Sequence, residues 1–148
     1  MRFFRFISVF ALPFVLSACN DISSPKGILA TGLEALQKSD ISTLRGLLSG
    51  EALENYGNIQ GMQLLRAKLE GRTISITAPV LINYTGETWN YDATYSVTAV
   101  DSSQNTILAT EVVCHTENDA ESPVEHQTEG AIESTTCNIS KIGLAPLT

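Results

Sequence analysis

At Arg72 the spacing of apolar residues changes from a helical period to a period of two, and this switch limits what the chain can become. Before it, Leu29, Leu33 and Leu36 recur at helical spacing, with Ile28 and Ala35 widening the stripe. They predict an amphipathic helix over about 25–38, with Ser24 as N-cap and Pro25 at the first helical position. Gly27 and Gly32 weaken it by about 1 kcal/mol each relative to alanine, so packing has to hold it. Ser39-Asp40 caps a second helix carrying Ile41, Leu44 and Leu48, which Gly50 is expected to stop. Residues 51–56 read as a short turn ending at Gly57. A third helix is expected over about 59–70, with Met62, Leu65 and Leu69 inward and Gly71 ending it.

After Arg72 the residues Ile74, Ile76, Ala78, Val80, Ile82 and Tyr84 fall on every second position, the pattern of a long strand with one buried face. Pro79 interrupts it and lacks an N–H, which places it at an edge or a bulge. Gly86-Glu87 is read as the turn. Trp89, Tyr91, Ala93, Tyr95, Val97 and Ala99 then alternate with polar residues, as in a half-buried antiparallel strand. Residues 101–105 read as a hairpin loop, 106–116 as a third strand, 117–127 as an acidic loop and 130–142 as a fourth strand. The tail 143–148 is expected to fray. Helices followed by long antiparallel strands make an α+β layout: N-terminal helices on one face of a curved antiparallel sheet of about four long strands.

Charge restricts the partners. The chain has 148 residues, with 9 Lys and Arg against 16 Asp and Glu. Between Thr73 and Ser140 there is no Lys or Arg. Nucleic-acid binding requires clustered basic residues, so it is excluded. Direct docking of the second half on anionic lipid is disfavoured for the same reason. The acidic balance also keeps a secreted domain soluble.

The N-terminus carries an address. Arg2 and Arg5 precede an apolar run from Phe6 to Leu16, and small residues lead to Cys19. These are the parts of a secretory signal peptide, and the run is shorter than the roughly 20 residues a membrane span needs. Leu16-Ser17-Ala18-Cys19 resembles the lipobox of bacterial lipoprotein precursors at all four positions. The resemblance implies diacylglycerol on the Cys19 thiol, cleavage before it, and acylation of the new amino terminus. The membrane is then a partner through lipid on Cys19, with 1–18 as signal peptide, 19–24 as tether and 25–142 as a single domain. Asn20 rather than Asp follows the cysteine, which leans toward the outer membrane, facing the periplasm. Losing Arg2 and Arg5 leaves seven basic against sixteen acidic residues, a net charge near −9.

With Cys19 lipidated, Cys114 and Cys137 remain. An even remainder in an oxidising compartment reads as one disulfide. A metal pair or a Cys114–His115 nucleophilic site are the alternatives. The first lacks ligand spacing, and the second has its two side chains on opposite faces of a strand.

The order of helices and strands resembles the nuclear-transport-factor-like, or cystatin-like, superfamily, in which a bent sheet wraps an N-terminal helix. Small secreted lipoproteins with that fold share an opening to which the stretch from Leu33 to Leu44 is similar. That resemblance would allow an Asp, His or Tyr inside the cone to act in catalysis. Here Asp92 lies on a polar strand face, and His126 lies in the acidic loop. Asp119, Glu121 and Glu125 lack the spacing of a calcium loop. No nucleophile elbow, P-loop or zincin motif is present. No catalytic residue, metal ligand or cofactor is therefore assigned. Tyr84, Trp89, Tyr91 and Tyr95 are either core aromatics or the wall of a ligand pocket. The expected function is a lipid-anchored envelope lipoprotein whose domain is a non-enzymatic protein-binding or structural module. A small-ligand-binding, or enzymatic, cone-shaped domain is the alternative.

Overall fold

The structure, a computed structural model, describes residues 22–118 and 133–144. Residues 1–21 with Cys19, the acidic connection 119–132 with His126, and the tail 145–148 lie outside the described residues. Four helices come first: α1 (Pro25–Gln37), α2 (Ile41–Leu47), α3 (Gly50–Tyr56) and α4 (Ile59–Leu69). The strands follow: β1 (Ser75–Ile76), β2 (Val80–Glu87), β3 (Asn90–Val100), β4 (Thr106–Asn118) and β5 (Glu133–Leu144). They form one open antiparallel sheet against which the helices pack, the α+β arrangement expected.

The caps explain where the helices begin. The Ser24 hydroxyl accepts from the Gly27 N–H at 3.0 Å, and Pro25 occupies the first turn, where its missing N–H costs nothing. Asp40 accepts from the Thr43 N–H and hydroxyl at 3.1 and 2.7 Å. The Asn58 side chain accepts from the Gly61 N–H at 2.7 Å. Ile28, Leu29, Leu33, Ala35 and Leu36 of α1 are buried, as are Leu44 and Leu47 of α2 and Met62 and Leu65 of α4.

One expected turn is a helix. Residues 50–56 form α3, and Gly50 opens it rather than ending α2. Leu48 leaves α2 to bridge Ile139 in parallel, and the Ser49 N–H donates to the Ile139 carbonyl at 2.9 Å. Gly50, at φ +53°, then turns the chain back into a helix. With Ala52 as its one buried residue, α3 has too little apolar pattern to read from sequence; packing on β5 selects it.

The sheet is a meander whose first ribbon is broken. β1 and β2 both pair with β3, at Ile76↔Ala99 and from Val80↔Ser96 to Glu87↔Asn90. Between them lies Pro79, where a missing N–H was expected to interrupt the edge. Thr77 bridges the gap: its N–H donates to the Thr98 carbonyl at 3.0 Å, and the two hydroxyls lie 2.8 Å apart. β4 pairs with β3 and β5 along its length. The fourth expected strand extends past Ile142, because Leu144 still pairs with Leu108.

Directly opposed residues of an antiparallel pair share a face. On the helix-covered face Val97, Ala99, Leu108, Val112 and Ile139 are buried. The buried Thr110 hydroxyl donates to the Val97 carbonyl at 2.7 Å, so this polar group costs little there. The alternation expected from Ile74 to Tyr84 marks the core only in its first half. Ile74 is buried and Ile76 half-buried, but Val80, Ile82 and Tyr84 are at least half exposed. The principal helix contacts end at β1 and do not include β2. A bulge at Ile82 also shifts the parity, so Leu81 faces Tyr95 and Tyr84 faces Ala93.

Candidate functional site

Beyond the helical layer, β2 and β3 continue as an uncovered hairpin. Its turn is Thr88-Trp89, closed by the Glu87↔Asn90 pair, and not Gly86-Glu87 as the sequence suggested. Gly86 instead sits opposite Tyr91 at φ +121°, a conformation that favours glycine. A Cβ there would lie 2.6 Å from the Tyr91 Cα.

That close approach lets Tyr91 lie diagonally across from Tyr84. Their rings stack with centroids 4.9 Å apart and planes inclined by 25°. Leu81, opposite Tyr95, extends the same face. Tyr84, Tyr91 and Tyr95 therefore share one side of the sheet, as the alternation of β3 implied, while Trp89 stands in the turn. Together they make an open surface and not an enclosed pocket. Tyr84 is 51 % exposed, Leu81 54 % and Trp89 42 %. Tyr95 and Tyr91 are half-buried, Tyr95 against the end of the core. Every residue of β2 is exposed.

Cys114 and Cys137 are direct partners across β4 and β5, and they are bonded, with Cα atoms 3.9 Å apart. Both are buried. The disulfide belongs to the helix-covered face, and His115 points the other way, as strand alternation requires.

On the outer face the register assembles a cluster from residues far apart in the sequence. Asp92 and His115 are opposed. His115 Nδ1 lies 2.6 Å from Asp92 Oδ1, and its Nε2 lies 3.3 Å from Glu117 Oε2. The hydrogen bond to Asp92, then that to Glu117, raises the His115 pKa above 6.5. The only sequence signal for this pair is the fold-back about the 101–105 loop, from which the register can be counted. All three side chains are well exposed on the outer face of the sheet. Both imidazole nitrogens are engaged, and among the described residues no set of three metal-ligating side chains converges.

A groove of about 220 Å³ lies on the opposite side of the fold, between α1, α4 and β1. Leu33, Leu36, Leu69 and Ile74 floor it, and Arg66 and Arg72 edge it. None of the four aromatic residues reaches it. It is smaller than the roughly 300 Å³ at which small-ligand sites begin. Arg72 is already committed to Asp101, at 3.6 Å, and to the Lys68 carbonyl. Among the described residues no helix is long and apolar enough to cross a membrane.

The fold and its surfaces define a small α+β domain with one exposed apolar hairpin. No protein-family model matches the chain, and neither a curated protein nor a solved structure matches it.

Proposed function

We propose that the chain is a lipid-anchored lipoprotein of the cell envelope, on the outer membrane facing the periplasm, whose mature domain is a non-enzymatic protein-binding module. The lipobox at Leu16-Ser17-Ala18-Cys19 supports the anchor. The helix-then-sheet order supports kinship with the nuclear-transport-factor-like superfamily. The observation that carries the binding role is the β2–β3 hairpin. Val80, Leu81, Ile82, Tyr84 and Trp89 are all at least 42 % exposed on this one hairpin, with Leu81 and Tyr84 on the face of Tyr91 and Tyr95 and Val80 on the other. An apolar surface gathered in one place, on an otherwise acidic protein, marks an interaction site. Aromatic side chains contribute most to such sites. A small-ligand role has less support, since the aromatic set forms an open face.

The test joins two variants. Cys19→Ser is expected to abolish membrane retention and processing; a variant still processed and membrane-bound sinks the anchor. Leu81→Lys with Tyr84→Asp is expected to fold normally and to lose partners that the wild type retains from a mild detergent extract of membranes. Identical partner sets would sink the binding surface.

A further inference from the structure

One cross-strand row connects the chain's N-terminal tether to the exposed hairpin. The Cys137 N–H donates to the Ile22 carbonyl at 3.1 Å. Cys137 is paired with Cys114, Cys114 with Ala93, and Ala93 with Tyr84. The tether is thus pinned to one edge of the sheet, and Tyr84 lies at the other. At roughly 4.8 Å per strand, three spacings separate β5 from β2 by about 14 Å.

We infer that the domain stands edge-on to the membrane, the β5 edge turned to the lipid with Ile22 and the Leu48-Ser49 link that bond along it, and presents the Leu81–Tyr84–Tyr91 surface to the aqueous compartment, so that its occupant is a protein and not the bilayer. This rests on the lipidation of Cys19 proposed above. Ile22 is three residue steps from Cys19, a reach of at most about 11 Å when fully extended. A leash so short holds the Ile22 edge at the headgroups.

Charge opposes the main alternative, a domain lying flat. The sheet's outer face carries Glu87, Asp92, Glu111 and Glu117, against Lys141 and His115. Laying that face on an anionic bilayer brings like charges together. On the helical side the exposed apolar residues do not form one stripe: Leu53 belongs to α3, and Ile59 and Leu64 are five positions apart on α4, about 140° around its axis. The hairpin is therefore the assembled apolar surface, and it points away from the anchor. Its chemistry fits a neutral apolar patch on another protein, because β2 carries no charged residue from Val80 to Gly86.

Trp89, the chain's one tryptophan, reports the orientation directly. The lipidated protein is reconstituted into phosphatidylethanolamine–phosphatidylglycerol vesicles containing bromine-labelled acyl chains. Trp89 emission is expected to stay near its level in unlabelled vesicles and to remain as accessible to acrylamide as in the Cys19→Ser protein. A probe placed by Ile22→Trp in a Trp89→Phe background is expected to be quenched several-fold more by the labelled lipid. If Trp89 is quenched as strongly as the probe at position 22, the anchor stands and the edge-on orientation falls. If the purified wild-type protein carries no lipid on Cys19 and does not float with vesicles, the anchor and the orientation fall together.

Discussion

Asp92 and His115 face each other across β3 and β4 on the outer side of the sheet, Oδ1 and Nδ1 2.6 Å apart. Glu117 takes the other imidazole nitrogen. The two carboxylates favour the protonated ring, so the folded-state pKa of His115 lies above its ordinary 6.5. A raised value stabilises the fold fully below the ordinary pKa, and that contribution is lost as pH rises through the folded value. Urea midpoints of the wild type are expected to fall across that interval by more than those of His115→Gln. In Asp92→Asn the His115 titration, followed by NMR, should move down toward 6.5. An unmoved titration would mean that Asp92 is not the main cause.

Removing the disulfide should weaken the fold strongly. Cys114 and Cys137 are 23 positions apart, and closing a loop of that length gives about 3 kcal/mol in the chain-entropy model. The double variant Cys114→Ala, Cys137→Ala is expected to unfold at markedly lower urea. A loss under about 1 kcal/mol would show that the unfolded chain is not constrained by this link.

Core and hairpin should separate in their response to truncation. Ile28 and Leu44 are almost fully buried, and replacing either with alanine should cost about 2–5 kcal/mol. Tyr84→Ala and Leu81→Ala, on the uncovered hairpin, should cost no more than about 1 kcal/mol while weakening partner capture. Chemical denaturation of the four variants beside a pull-down distinguishes the two classes; equal destabilisation would place the hairpin in the core.

Gly86→Ala tests the tyrosine stack. The new methyl group would meet Asn90 and Tyr91 backbone atoms at 2.6 Å, at a φ that alanine rarely adopts. A local cost above about 1 kcal/mol is expected. Because the hairpin stands clear of the core, the readout is loss of near-ultraviolet ellipticity from the tyrosines and a shifted Trp89 emission, with the global urea midpoint little changed. An unaltered near-ultraviolet spectrum would show that the stack does not depend on Gly86.

Local signals carried most of the fold. Ser24-Pro25, Asp40 and the leucine spacing of α1, α2 and α4 announce helices, because caps and apolar stripes act within a few residues. The strict alternation of Tyr91 to Ala99 announces β3 for the same reason. What stayed hidden depends on distant partners. α3 is selected by contact with β5, some eighty residues later in the chain. Alternation says that Val80, Ile82 and Tyr84 are apolar but not whether a helix covers them. The Asp92–His115 pair and the Tyr84–Tyr91 stack exist only through register, and a one-residue bulge at Ile82 suffices to reassign which side chains share a face.

The break at Pro79 has a consequence for how such a chain can change over generations. It divides one ribbon into an inner part that the helices hold to a narrow choice of side chains and an outer part that they leave free. Apart from Gly86, substitutions in the outer part cost the global fold little, which leaves that part to answer to recognition. A lineage built on this scaffold can exchange one binding partner for another by rewriting the residues of β2 other than Gly86, while the half that keeps the molecule folded stays as it was.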